Sequence, residues 1–235
     1  MSFHLEARQG DIAPLVLLPG DPLRAQFIAE RFLDGAVCHN RVRNTLGFTG
    51  HHRGVRVSVQ ATGMGMPSAA IYVHELLADY GARVLVRIGT CGALRADVRT
   101  RDIVLAQTAS TDSAMFRDTF AGASFAAAAS FDLLRRAHEL AIAEGLAVHV
   151  GGVLSTDAFY REGAWWEPWA AHGVLAAEME TAALYTLAAR RGARALSILT
   201  VSDNLVDGSH ASADERQTGF GAMATLALSL VTGTV

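Results

Sequence analysis

Arg87 is a cation set inside an aliphatic run, Val84 to Ile88, that breaks off in Gly89-Thr90-Cys91-Gly92. In a buried strand an arginine is costly unless an anion or a carboxylate pairs it. Thr90 and the backbone N–H groups of a tight turn would face the same point, so the stretch reads as an anion cradle at the end of a central strand. The plainer alternative is an arginine reaching solvent from an edge strand, with glycines needed only for chain reversal. A second element of the same kind follows Leu15-Val-Leu-Leu18, where Pro19-Gly-Asp-Pro-Leu-Arg24 opens a helix. Asp21 suits the N-cap and Pro22 the first helical position. Backbone N–H groups at a helix start attract anions, and Arg24 adds a forked donor; an ordinary capped helix with a surface arginine would look the same.

Glu178 and Glu180 lie two residues apart, which on extended chain puts both carboxylates on one face. Such a pair can accept from adjacent hydroxyls, as holding a sugar diol demands, although acids are also favoured at a helix N-terminus by the dipole. Asp203 follows the strand-like run Ala195 to Val201, a place from which a carboxyl can act as a general acid or merely cap a turn. Phe159, at the end of the strand-like stretch Ala147 to Thr156, is the candidate for stacking on a ring. Trp165, Trp166 and Trp169 read instead as packing or a subunit interface. Cys91 reads as a small wall residue, and Cys38 and Cys91 make neither a CxxC nor a disulfide framework. No HExxH motif or Cys/His cluster of ligand spacing occurs, so no metal is expected. Gly63-Met-Gly-Met-Pro-Ser68 nearly matches a dinucleotide fingerprint, but Ser68 replaces the third glycine and no acid follows where a ribose hydroxyl would need one. A nicotinamide cofactor is rejected.

The elements that must position these groups alternate along the chain. Strands are expected over Leu15–Leu18, Val55–Ala61, Val84–Ile88, Ile103–Ala109, Ala147–Thr156, Gly173–Ala177 and Ala195–Val201. Helices are expected after Pro22 and Pro67, over Phe131–Glu144 and Thr181–Arg191, and from the capping box Ser212-Ala-Asp-Glu215, with Arg216 in the first turns. Alternation of this kind predicts an α/β fold with a mostly parallel sheet, whose ligands sit beyond the carboxyl ends of the strands. Arg87, Thr90, Phe159, Glu178, Glu180 and Asp203 all fall at such ends. Cationic groups, diol acceptors and a lone acid together suggest an anion, a sugar and a leaving group to be protonated. The 235 residues, 51% hydrophobic and without a linker, suit a single domain over 1–235. A net charge of −3 argues against nucleic acid. No run approaches the roughly 18 apolar residues of a membrane span, and the N-terminus has no apolar signal region, so a cytoplasmic protein is expected.

Taken together, Leu18-Pro-Gly-Asp-Pro-Leu-Arg24, Gly47-Phe-Thr-Gly50, Thr62-Gly-Met-Gly-Met-Pro-Ser68, Arg87-Ile-Gly-Thr-Cys-Gly92, Asp157-Ala-Phe-Tyr160, Glu178-Met-Glu180, Val201-Ser-Asp203 and Glu215-Arg-Gln217 carry a resemblance. Essentially end to end, the chain resembles the bacterial hexameric purine nucleoside phosphorylases of the nucleoside phosphorylase-I superfamily. The resemblance implies a three-layer α/β/α domain with a mixed, mostly parallel twisted sheet. It implies reversible phosphorolysis of purine ribo- or 2'-deoxyribonucleosides to free base and pentose 1-phosphate, with inorganic phosphate as co-substrate and no cofactor. It assigns phosphate to Gly20, Arg24, Arg87, Ile88, Gly89 and Thr90, with Arg43 reaching in from a neighbouring subunit. It assigns ribose to Met64, Met179 and Glu180, with His4 arriving across the subunit boundary. Cys91, Gly92, Phe159, Ala177, Glu178 and Ser202 would surround the purine, and Asp203, assisted by Arg216, would protonate N7 of the departing base. A homohexamer, a trimer of dimers, is implied.

Asn204 departs from the pattern, since several relatives carry His there, and it leaves the preference between 6-amino and 6-oxo purines open. Retention of Asp203 favours a broad enzyme. Uridine phosphorylase shares the fold and the arginines, but its Gln and Arg pyrimidine-binding insert has no counterpart after Tyr160. A hydrolytic nucleosidase needs no phosphate cradle, His4 argues against a methylthioadenosine phosphorylase, and a non-catalytic nucleoside-binding module leaves the acid and the phosphate site without a purpose.

Overall fold

The computed structural model describes residues 2–233, with side chains described outside 213–220. Its strands are β1 (Leu15–Pro19), β2 (Asp34–Asn40), β3 (Gly47–His52), β4 (Val55–Gln60), β5 (Val84–Ala93), β6 (Ile103–Thr111), β7 (Ala127–Ala128), β8 (Val148–Ser155), β9 (Ala176–Glu178) and β10 (Arg194–Asn204). Its helices are α1 (Pro22–Phe32), α2 (Met66–Ala78), α3 (Phe131–Ala143), α4 (Glu167–Ala171), α5 (Thr181–Arg190) and α6 (Ala213–Thr232).

The sheet is mixed. Its path runs β10-β6-β8-β9-β5-β1-β4-β3-β2, and β10 also pairs β5, so β5, β9, β8, β6 and β10 close on themselves, β7 pairs β6 off this path, and β1 to β4 extend as an open wing. The run β4-β1-β5-β10 is parallel throughout, as are β6-β8 and β8-β9. Strands buried on both faces read as continuous apolar runs, which is why β1 and the first half of β5 stand out in the sequence. One face is covered by α2 and α5, whose Tyr72, Leu76, Leu184 and Tyr185 join a core with Leu85 and Val104. On the other face Ile28 of α1, Leu133 of α3 and Leu226 of α6 pack with Val86 and Ile198. These are the three layers that the resemblance implies.

Two expectations are corrected. Gly89 to Gly92 form no tight turn; β5 continues to Ala93, paired with β10 from Arg194↔Val84 to Asn204↔Ala93 and with β9 at Gly92↔Ala177. The glycines supply room, not reversal, because a Cβ on Gly89 would lie 2.8 Å from the Arg87 guanidinium and one on Gly92 2.8 Å from Asp203 Oδ2. The strand expected over Gly173–Ala177 is β9, three residues long. Gly173, at φ +83°, instead ends the turn of α4 by donating to Ala170 O. The hairpin β2–β3 is an addition that the sequence reading does not contain.

Candidate active site

At the carboxyl ends of β1, β5, β8 and β10 the chain encloses a cavity of about 800 Å³. One end is cationic. Asp21 caps α1 by accepting from Leu23 N at 2.9 Å, so Arg24 leaves the first turn in a fixed direction beside Gly20. The loop after β1 is tied to the loop after β4 by Thr62 N to Pro19 O and Gly63 N to Gly20 O, each 3.0 Å. A Cβ on Gly20 would meet Gly63 O at 3.1 Å, a tight contact that glycine avoids where the two loops meet. Burial lowers the Arg24 pKa to about 10, with Asp21 opposing and the charge of Arg87 adding to the effect. Arg24 stays charged at neutral pH and lines the cavity together with Arg87, Gly89 and Thr90.

Arg87 is 6% exposed. Its Nε donates to Glu178 Oε2 at 3.0 Å and its Nη2 is in close contact with Glu180 Oε2. Burial works against its charge, but Glu180 and Glu178 together hold its pKa above the ordinary value. Within the fold, Arg87 is paired by two carboxylates. Glu180 lies between the loops, accepting from Gly65 N at 2.6 Å. Burial pushes its pKa up, Arg87 opposes, and the charge of Glu178 adds.

Glu178 also lines the cavity. Its carboxylate also accepts from Ser155 Oγ, from Glu180 N at 2.9 Å and from Thr181 N at 3.0 Å, and it is almost fully buried. With every lone pair used inside the wall, it anchors Arg87 and the start of α5 and presents only that wall to the cavity. The bonds from Glu180 N and Thr181 N hold it at the start of α5. The two carboxylates do converge, on Arg87.

Cys91, Gly92, Ala177, Ser202, Asp203 and Leu205 also line the cavity. The pairing of β10 with β5 shifts between Val201 and Asp203, and this irregularity brings the Asp203 carboxylate over Gly92. Ser202 Oγ donates to Asp203 Oδ1 at 2.6 Å, leaving Oδ2 toward Gly92. Burial pushes the Cys91 thiol up, with Glu178 and Asp203 adding, so it stays protonated and serves as wall. Met64, Met179 and Glu180 line the same cavity. Met64 and Phe159, 84% and 70% exposed, stand at the rim with apolar surface uncovered. Trp165 and Trp166 also line this side, while with Trp169 they pack on a small core of Leu94, Leu154 and Val174. Packing was their expected role; forming part of the cavity wall is additional.

The structure separates other residues from the cavity. Asn204 is buried with its amide turned away, donating to Arg95 O at 2.9 Å and Val98 O at 2.8 Å. The neighbour that reaches the cavity is Leu205. His4 lies outside it, its Nδ1 2.7 Å from Glu75 Oε1, and Arg43 is exposed on a short 3₁₀ turn with φ +55°. The side chain of Arg216 lies outside the described residues. Thr156, Tyr160 and Arg161 line the cavity as well; no site role was expected of them, and the sequence cue is that they flank Phe159 in one short segment. Among the described residues no group of three His, Cys, Asp or Glu is placed to hold a metal, and no helix is long and apolar enough to cross a membrane.

A family model described as the phosphorylase superfamily matches residues 14–235. Over 228 residues, 97% of either chain, the sequence is 58% identical to the purine nucleoside phosphorylase DeoD-type of Geobacillus sp. (strain WCH70). It is 57% identical to the protein of the same name from Geobacillus kaustophilus (strain HTA426) and 55% identical to that of Anoxybacillus flavithermus (strain DSM 21510 / WK1), with the same coverage.

Proposed function

The chain belongs to the phosphorylase superfamily, and from that membership we propose that it is a purine nucleoside phosphorylase, releasing purine from a ribo- or 2'-deoxyribonucleoside with inorganic phosphate as the acceptor. The observation that carries the reading is one cavity whose lining brings together Arg24 and Arg87, the buried carboxylates of Glu178 and Glu180, and the Asp203 carboxyl. The names of the relatives support a purine over a uridine substrate.

The chemistry follows from charge. Cleaving the N-glycosidic bond builds oxocarbenium character on the sugar, as in glycoside hydrolysis, while negative charge moves into the base. Phosphate held by Arg24, Arg87, Thr90 and the backbone of Gly20, Ile88 and Gly89 supplies the nucleophile and stabilises the first charge. Glu180 and Met179 hold the sugar beneath Met64. Asp203 gives its proton to N7 of the base, its Oδ1 oriented by Ser202, help of a kind typically worth roughly 10²–10⁴ in rate. Arg216 assists from α6. Phe159, Ala177, Cys91 and Gly92 enclose the purine. Arg24 and Arg87, with Arg43 of a neighbouring subunit, donate to the phosphate oxygens, and no step of the proposed reaction calls for a metal or cofactor.

His4 and Arg43 complete the site of a neighbouring subunit in a hexamer built as a trimer of dimers. Their positions outside their own chain's cavity support this. The enzyme works in the cytoplasm on free nucleosides.

The test is incubation with inosine, adenosine and uridine, each with and without inorganic phosphate, following base and sugar products by chromatography. Purine release only with phosphate is expected; release without it identifies a hydrolase, and preferential uracil release identifies a pyrimidine enzyme.

A further inference from the structure

Phe159 is the aromatic ring at the cavity rim, yet it is 70% exposed and its ring partner among the described residues is Tyr160, itself exposed, at 5.1 Å. Packing therefore does not fix this ring; its backbone must be held some other way. The loop carrying it starts at Thr156, whose N–H donates to Glu178 O at 2.9 Å. Beyond that point three donors of the loop converge on one carboxylate behind it, that of Asp112, the residue after β6. Thr156 Oγ1 donates to Asp112 Oδ2 at 2.8 Å, Asp157 N to Oδ1 at 3.2 Å, and Arg161 Nη2 is in close contact with Oδ2. The guanidinium of Arg161 also lies 5.0 Å over the Trp165 ring, which stands edge to face with Trp166 at 6.4 Å. Thr156, Phe159, Arg161 and both tryptophans line the cavity, whereas Asp112 does not.

We propose that Asp112 is a positioning residue for the nucleoside. It clamps both ends of loop 156–161, sets Phe159 at the height of the base, and joins that loop through Arg161 to the tryptophan wall. The inference rests on the purine nucleoside reading and assigns the order of its base-side wall to a residue that touches no substrate. Bonds to a charged acceptor are stronger than neutral ones, and without them the loop must be ordered when the nucleoside binds. The loss should therefore fall on nucleoside affinity and spare the phosphate end.

The experiment compares the parent protein with Asp112→Ala and Asp112→Asn. Hydrogen exchange of the Asp157 and Ala158 amides should quicken by about tenfold in Asp112→Ala, since both are held through Asp112 or Thr156. Nucleoside KM should rise by about tenfold, with kcat and the KM for phosphate within about twofold, and Asp112→Asn should fall between. Unchanged exchange, an unchanged nucleoside KM, or equal rises in both KM values would overturn the proposal. A parent protein that cleaves no purine nucleoside defeats the functional reading instead, and the exchange measurement still decides whether Asp112 holds the loop.

Discussion

Replacing Glu178 by glutamine removes one charge from the wall of the cavity while nearly preserving volume. The carboxylate accepts from Arg87 Nε, Ser155 Oγ and the amides of Glu180 and Thr181. Glutamine has a single acceptor oxygen, so its NH₂ must face at least one of these donors. Water cannot compensate, because the side chains of Arg87 and Glu178 are only 7% and 1% exposed. Breaking a buried pair by removing one partner costs about 3–5 kcal/mol. Glu180 remains on Arg87, which places this loss near the lower figure. At ~2–4 °C per kcal/mol for a chain of this size, Tm should fall by roughly 6–12 °C. The assay is thermal unfolding at pH 7 and one protein concentration, since assembly would make Tm concentration-dependent. Glu139→Gln is the control: its pair with Arg135 is exposed on both sides, and the loss should stay below about 1 kcal/mol. A Glu178→Gln Tm within about 2 °C of the parent, no larger than a surface substitution gives, would refute the buried-anchor account.

Three further outcomes are expected. Burial holds the His39 imidazole down to about 4 from its ordinary 6.5, with Gln60 opposing. The folded state therefore binds fewer protons between these values; the stabilisation is complete above pH 6.5 and lost as pH falls toward 4, roughly 3 kcal/mol in all. Equal acid slopes for the parent and His39→Gln would contradict this. Gly92→Ala places a Cβ 2.7 Å from Leu205 Cδ1 and 2.8 Å from Asp203 Oδ2, so kcat should drop by about 10² while phosphate KM holds; unchanged turnover would remove Asp203 from its position over Gly92. Asp203→Asn should reduce turnover of 6-amino nucleosides more than of 6-oxo ones, as rate ratios on adenosine and inosine would show, and equal losses on both would count against proton donation.

What the sequence made legible follows burial. The strands around Val16, Leu85 and Val104 were readable because both faces are covered and their runs are almost wholly apolar, and Val55 to Gln60 because apolar and polar residues alternate along it. The β2–β3 hairpin was not, because β2 is an edge strand whose residues Asp34 to Val37 are exposed and carry no alternation. Gly89 to Gly92 read as a turn because the pairing that keeps them extended comes from β10, more than 100 residues away. For the site, the residue types of Arg24, Arg87, Glu178, Glu180 and Asp203 announced charge at strand ends. That Arg87 and Glu178 face each other across 91 residues is a property of the sheet, invisible locally. Asn204 and Leu205 illustrate the same limit, since the bulge near Asp203 decides which of them faces the cavity.

The most direct test of the central claim is the fate of the phosphate. Protein, inosine and ³²P-labelled inorganic phosphate are incubated and the sugar product is isolated. The account predicts label in pentose 1-phosphate, one equivalent for each hypoxanthine released; unlabelled free ribose in its place would contradict it.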